Sequence, residues 1–158
     1  MTVIRTRPRR FALAALVSGV IGAAILLALS PPKASAIGLC DNGEFCLLYN
    51  MNLANGLYHF AGSDSNLNND RFEHNHTNMI VGFNTTAAWN RGRRAALDDV
   101  VIYDRPGWRV PFGCIKRGHN GQLPLEAFHR VSSYRWVTDR ACRAAGVIDL
   151  PGSITNRP

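Results

Sequence analysis

Phe45-Cys46-Leu47-Leu48-Tyr49-Asn50 is the stretch on which the fold turns. An uncharged run of aromatic and aliphatic residues is closed by Tyr-Asn. Val100-Val101-Ile102-Tyr103-Asp104 repeats it in kind. In both, the run ends in Tyr, an Asn or Asp follows, and a glycine comes later, at Gly56 or Gly107. Such runs, rich in β-branched and aromatic residues and bounded by turn formers, read as strands. The two tyrosines stand 54 residues apart. Each half then has an Asn/Gly-rich loop leading to a leucine, Leu67 or Leu123, before another strand. Two four-stranded units of this size would bury their inner faces against each other as a β-sandwich.

Working outward, strands are expected at Phe45–Tyr49, Leu57–Phe60, Met79–Phe83, Val100–Tyr103 and Val131–Val137. Clusters of Gly, Asn, Asp, Ser and Pro separate them and favour turns, most clearly at Leu53–Gly56, Gly62–Asn69 and Lys116–Gln122. No segment sustains a helical apolar period, although Leu123–Phe128 can form one helical turn. The last residues, 144–158, carry Pro, Gly and few anchors, and are expected to form a flexible tail. The fold class is therefore all-β, with one domain over 37–143.

The N-terminus is organised differently. Arg5, Arg7, Arg9 and Arg10 precede an apolar run from Phe11 to Leu29, and Ala34-Ser35-Ala36 follows Pro31-Pro32. Basic, apolar and small, in that order, is the pattern of a secretory signal peptide, here residues 1–36. The apolar run is also long enough to be retained as an anchor, but the adjacent Ala-Ser-Ala favours cleavage. In either case the remainder is exported, and a cleaved chain has no membrane segment. The whole chain carries 18 Lys+Arg against 11 Asp+Glu. Five of the basic residues and none of the acidic ones precede Ile37, which leaves 13 against 11 in the mature chain. The basic pI thus belongs mainly to the signal, and no nucleic-acid partner is implied. Arg91, Arg93 and Arg94 read as a solvated loop rather than a phosphate site.

All the cysteines, Cys40, Cys46, Cys114 and Cys142, lie in the mature chain. An even number in an exported protein implies disulfides, and four cysteines allow three pairings. The short turn between Cys40 and Cys46 favours a local bridge, which would leave Cys114 with Cys142. Their spacings lack the close pairs of zinc modules, and paired cysteines offer no nucleophilic thiolate. His74 and His76 would share a face on a strand, but their Asn- and Thr-rich surroundings read as an exposed loop. No Gly-x-Ser-x-Gly, His-Glu-x-x-His or phosphate-binding glycine loop occurs. The expectation is a protein that is not an enzyme, with no cofactor and no metal. Trp89, Trp108 and Trp136 read as packing residues rather than a sugar-stacking platform.

These residues resemble the actinobacterial peptidase inhibitor I36 family, typified by a secreted Streptomyces metalloproteinase inhibitor. The resemblance runs over about residues 38–142. It rests on the Cys-bounded turn, Phe45–Asn50, the loop with Leu67, Val101-Ile102-Tyr103-Asp104-Arg105-Pro106-Gly107-Trp108, and Val131-Ser132-Ser133-Tyr134-Arg135. It implies a βγ-crystallin-like fold of two Greek-key units and a monomeric inhibitor of an extracellular peptidase, most readily a metallopeptidase. Such an inhibitor blocks the cleft with a rigid, substrate-like segment. The family's protease-facing loop falls here on Gly113-Cys114-Ile115-Lys116, with Ile115 as the apolar contact; the competing reading makes Ile115 a core strand residue. Crystallin-like domains often bind calcium through two Asn/Asp, two variable residues and Ser/Thr-Ser. In this chain Phe128 and His129 occupy the donor positions of the stretch ending in Ser132-Ser133, and the first half, around Asn75–Asn84, keeps Asn78 but has Val81-Gly82 where the serines would stand, so no strong calcium site is expected. The alternative function is a secreted crystallin-like toxin, or a cell-surface or carbohydrate-binding protein without inhibitory activity.

Overall fold

The computed structural model describes residues 40–154. The expected signal peptide lies outside them, as do residues 155–158. Among the described residues, no helix is long and apolar enough to cross a membrane.

Two antiparallel sheets and one short helix make up the domain. The strands are β1 (Phe45–Leu48), β2 (Leu57–Phe60), β3 (Ala87–Asn90), β4 (Asp99–Arg105), β5 (Arg109–Ile115), β6 (Asn120–Gln122) and β7 (Ser133–Val137), followed by helix α1 (Asp139–Ala145). One sheet has the order β2-β1-β3-β6 and the other β5-β4-β7. The halves exchange chain. β6, from the second half, pairs with β3 in the first sheet. Asp64, from the first half, bridges to Tyr134 of β7 in the second.

Alternation along each strand sorts the side chains into layers. Phe45 and Leu47 of β1 join Val100 and Ile102 of β4, Ile115 of β5 and Tyr134 of β7 in the main core. Their neighbours in sequence face the other way. Cys46 and Leu48 pack with Cys40, Leu53, Leu57 and Ala87. Val101 packs with Cys114 and Cys142. The pairing of the cysteines follows this layering: Cys40–Cys46 and Cys114–Cys142 are disulfides, and each belongs to a small cluster separate from the main core.

Several expectations need correction. Met79–Phe83 is not a strand: it makes one isolated bridge, Arg71 to Ile80, and Phe83 turns to a φ of 70°. Gly82 cannot be filled there, because a Cβ would meet the Asn68 carboxamide. The strand is instead β3, whose Ala-Ala-Trp-Asn has no β-branched residue to announce it. Likewise β5 contains Pro111 and Gly113, which argue against a strand locally. Helix α1 is too short to show a period, but its caps are present. Thr138 Oγ1 accepts from the Ala141 N–H at 3.2 Å, and Gly146 ends the helix at a φ of 84°.

The C-terminal segment is not a loose tail as far as Ile154. Ile148 is 8 % exposed and belongs to the main core. The Gln122 N–H donates to the Pro151 carbonyl at 2.9 Å, and the Ile154 N–H donates to Asn120 Oδ1 at 3.0 Å.

Candidate functional site

Gly113, Cys114, Ile115 and Lys116 do not form a protruding loop. The first three end strand β5, where Val100 faces Ile115 and Val101 faces Cys114 across the ladder. On the other edge, the Cys114 N–H donates to the Gly146 carbonyl at 2.7 Å, and the Ile148 N–H donates to the Cys114 carbonyl at 2.8 Å. Strand β5 is thus enclosed on both sides at this end. Cys114 and Ile115 have no exposed surface. A Cβ on Gly113 would stand 2.7 Å from Ile148. Ile115 is therefore a core residue, and a side chain so placed cannot enter a partner's cleft. Lys116, just past the strand, lies between two carboxylates: its Nζ is 3.0 Å from Asp99 Oδ2 and also pairs with Asp139. The hydrogen bonds to Asp139 and Asp99 push the ammonium's pKa upward, and Lys116 in turn holds Asp139 below the usual carboxylate range.

The other end of the same ladder is exposed. Strands β4 and β5 join through Pro106, Gly107 and Trp108, with Arg105 opposite Arg109. Register shifts between Ile102 and Tyr103, where Phe112 is the extra residue on β5. Bulges increase local twist and re-aim side chains. Beyond this one the backbone is unusual. Trp108 has a φ of 58° and Val110 a φ of 59°. A β-branched residue in the left-handed region is a steric outlier that persists only where surrounding structure holds it.

The holding contacts are specific. The Gly107 N–H donates to the Ser65 carbonyl at 2.7 Å. Ser133 Oγ donates to the Arg105 carbonyl at 2.7 Å and accepts from the Trp108 N–H at 3.2 Å. Trp108 Nε1 donates to the Tyr134 carbonyl at 3.1 Å, and Arg135 stacks 5.1 Å from its ring centre. Arg130 grips both Asp104 oxygens, at 3.2 and 3.1 Å, and lies 5.1 Å over Phe112. The second serine of the Ser132-Ser133 pair thus serves the hairpin backbone. The result is a fixed tip that leaves Val110 54 % and Trp108 40 % exposed, with Arg109 exposed between them.

Of the remaining candidate groups, His59 and His74 meet at Glu73, His59 Nε2 lying 3.5 Å from its carboxylate. His74 and His76 sit in one 3₁₀ turn, His74 4.0 Å from Glu73 and His76 2.8 Å from Asn55 Oδ1. His59 Nδ1 is 2.8 Å from Glu44. Arg91 reaches the Cys40 carbonyl and stacks on Trp89, while Arg93 donates to the Asn42 carbonyl at 3.2 Å. That basic loop therefore fastens the N-terminal disulfide turn. Among the described residues no cysteine is free. The hairpin tip presents exposed Trp108, Arg109 and Val110, with the Arg135 guanidinium stacked on the Trp108 ring.

Sequence reasoning passed over this tip because Arg-Pro-Gly-Trp reads only as a turn. Val110-Pro111 directly after that turn gave no signal for it. Proline pushes the residue before it toward extended backbone, so the left-handed Val110 is set by its tertiary surroundings and not by local sequence. Comparison with protein-family models, with curated proteins and with solved structures returns no match to this chain.

Proposed function

We propose that the exported chain binds and blocks an extracellular peptidase, most readily a metallopeptidase, and that the β4–β5 hairpin tip meets the partner. The carrying observation is the strained, anchored and exposed conformation of Trp108 and Val110. A segment already fixed in one conformation loses little entropy on binding. Val110, between Arg109 and Pro111, is the apolar contact in this reading, in place of Ile115. The reciprocal exchange of β6 and Asp64 between the sheets supports a Greek-key, crystallin-like arrangement of two units. Secretion and a monomeric state belong to the same reading.

The test is titration of the disulfide-intact protein against thermolysin-type, subtilisin-type and trypsin-type peptidases. Stoichiometric inhibition of one class, lost in Val110→Asp with the fold kept, is the expected result. Inhibition untouched by that variant would move the contact elsewhere on the surface. No inhibition of any class by folded protein would overturn the inhibitor reading and favour the surface-binding or toxin alternative, for which exposed Trp108 is the side chain to examine. Ile115→Asp is unsuited to this test, because a charge there disrupts the core whatever the contact.

A further inference from the structure

We propose that His59, Glu73 and His74 hold a zinc ion beside strand β2, at the edge of its sheet, with Glu44 orienting His59. The backbone places the group. Leu57 of β2 bridges to Glu73, and the Glu73 N–H donates to the Leu57 carbonyl at 2.7 Å. Residues opposite each other in an antiparallel bridge share a face, as do residues two apart on a strand. Glu73 therefore stands on the face of Leu57 and His59. His74 follows at a φ of 64°, and its ring returns to the same carboxylate.

Three donor atoms converge there. His59 Nε2 is 3.5 Å and His74 Nε2 4.0 Å from one oxygen of Glu73, Oε2. Both separations are long for a hydrogen bond. Two ligands about 2.0–2.1 Å from one tetrahedral zinc stand about 3.4 Å from each other. His59 and Glu73 thus already have the spacing of two ligands. The three atoms do not all lie within 4.8 Å of one another, so the distance left to close is between the two rings. His74, in a 3₁₀ turn rather than a ladder, is the ring that turns inward.

The independent observation is the state of the two rings. Glu44 Oε2 lies 2.8 Å from His59 Nδ1. A carboxylate only accepts, so Nδ1 carries the proton. In the neutral ring Nε2 is then a bare lone pair facing the Glu73 carboxylate, which repels it unless a cation stands between. A carboxylate on the other ring nitrogen is also the usual support of a metal-ligating histidine. His74 Nε2 is buried and has no hydrogen-bond partner. Among the described residues, no Lys or Arg forms an ion pair with Glu44 or Glu73.

Two imidazole nitrogens and one carboxylate oxygen, with a fourth position left for water, suit zinc and not calcium, which takes oxygen ligands. The alternating pair in the sequence, His74 and His76, is not the chelating pair: His76 Nε2 is 2.8 Å from Asn55 Oδ1. His74 instead shares its carboxylate with His59, from a separate strand. A zinc ion here would fasten the Cys40–Cys46 turn, through Glu44, to the turn at His74–His76.

The experiment is titration of untagged, chelator-stripped, disulfide-intact protein with zinc, read by competition against a chromophoric chelator. One equivalent is expected to bind with a Kd of about 10⁻⁵ M or tighter. Glu73→Gln should weaken it by at least about 100-fold, and so should His74→Asn, in which asparagine tolerates the left-handed backbone. Glu44→Gln, which touches only the support of His59, should weaken it by about tenfold. His76→Ala should leave it unchanged. Each variant is checked for fold by circular dichroism, and either ligand variant gives a usable answer if the other fails to fold. Binding weaker than about 10⁻⁵ M, or an unchanged Kd in folded Glu73→Gln or His74→Asn, would overturn the site and leave a protonated His59 bridging two carboxylates.

Discussion

Replacing Val110 by asparagine separates the strain in the hairpin from the packing around it. Val110 holds a φ of 59° and is 54 % exposed. A left-handed conformation costs an ordinary residue about 1–2 kcal/mol, while asparagine visits it readily. Burial works against the change. Fully burying a valine side chain is worth about 1.5 kcal/mol, so half of that, roughly 0.7 kcal/mol, is lost. The net expectation is a gain of about 1 kcal/mol, or some 4 °C in Tm for a domain of this size. Thermal melts followed by circular dichroism, with disulfides intact, would read it. Val147→Asn is the control: Val147 is 46 % exposed, has no positive φ, and bridges in parallel to Cys114. That substitution should lose about 1 kcal/mol. If Val110→Asn destabilises as much as Val147→Asn, Val110 is not strained and the case for a pre-set tip fails.

Two further outcomes can be measured directly. Burial, then the adjacent Asp64, raises Asp70 to about 6. Asp64 and the Tyr58 and Tyr134 hydroxyls are the titratable groups facing it. A carboxyl held neutral in the native state contributes stability that is complete below its unfolded pKa, near 4, and is lost as pH rises through about 6. The melt should therefore be higher at pH 4 than at pH 7, by an amount on the order of 1 kcal/mol after solvent screening, and Asp70→Asn should flatten the difference. The Cys114–Cys142 bridge closes a loop with a sequence separation of 28. Replacing both cysteines by alanine should cost about 3–4 kcal/mol in denaturant titrations, and a loss below about 1 kcal/mol would mean that residues 114–142 stay compact in the unfolded chain.

What was legible in the sequence was local. Phe45–Leu48 and the run from Val100 show as strands because their apolar character is continuous and both of their faces are covered, so no solvent face dilutes the signal. The cysteine turn at 40–46 could be read because only a short chain separates its ends. β3 and β6 could not. Ala-Ala-Trp-Asn and Asn-Gly-Gln have little strand preference and are strands because β1 and β3 supply their ladders. Met79–Phe83 has the preference and no such neighbour. The misplaced contact segment has the same cause. Gly113 to Lys116 reads as a loop beside a cysteine, and only the pairing with β4 and with residues 146–148 buries it.

By itself, then, the sequence determined the class of the molecule: a secretory signal pattern ahead of an all-β, disulfide-bearing domain. Those features depend on residue type and on neighbours a few positions away. Tertiary structure decided which end of the β4–β5 ladder is exposed, that the C-terminal segment closes the core, and that Asp64 pairs with Tyr134. Asp64 and Tyr134 are 70 positions apart. Only the crossing of Asp64 to the second sheet brings them together, and that crossing is set by long-range backbone hydrogen bonds that no local pattern encodes.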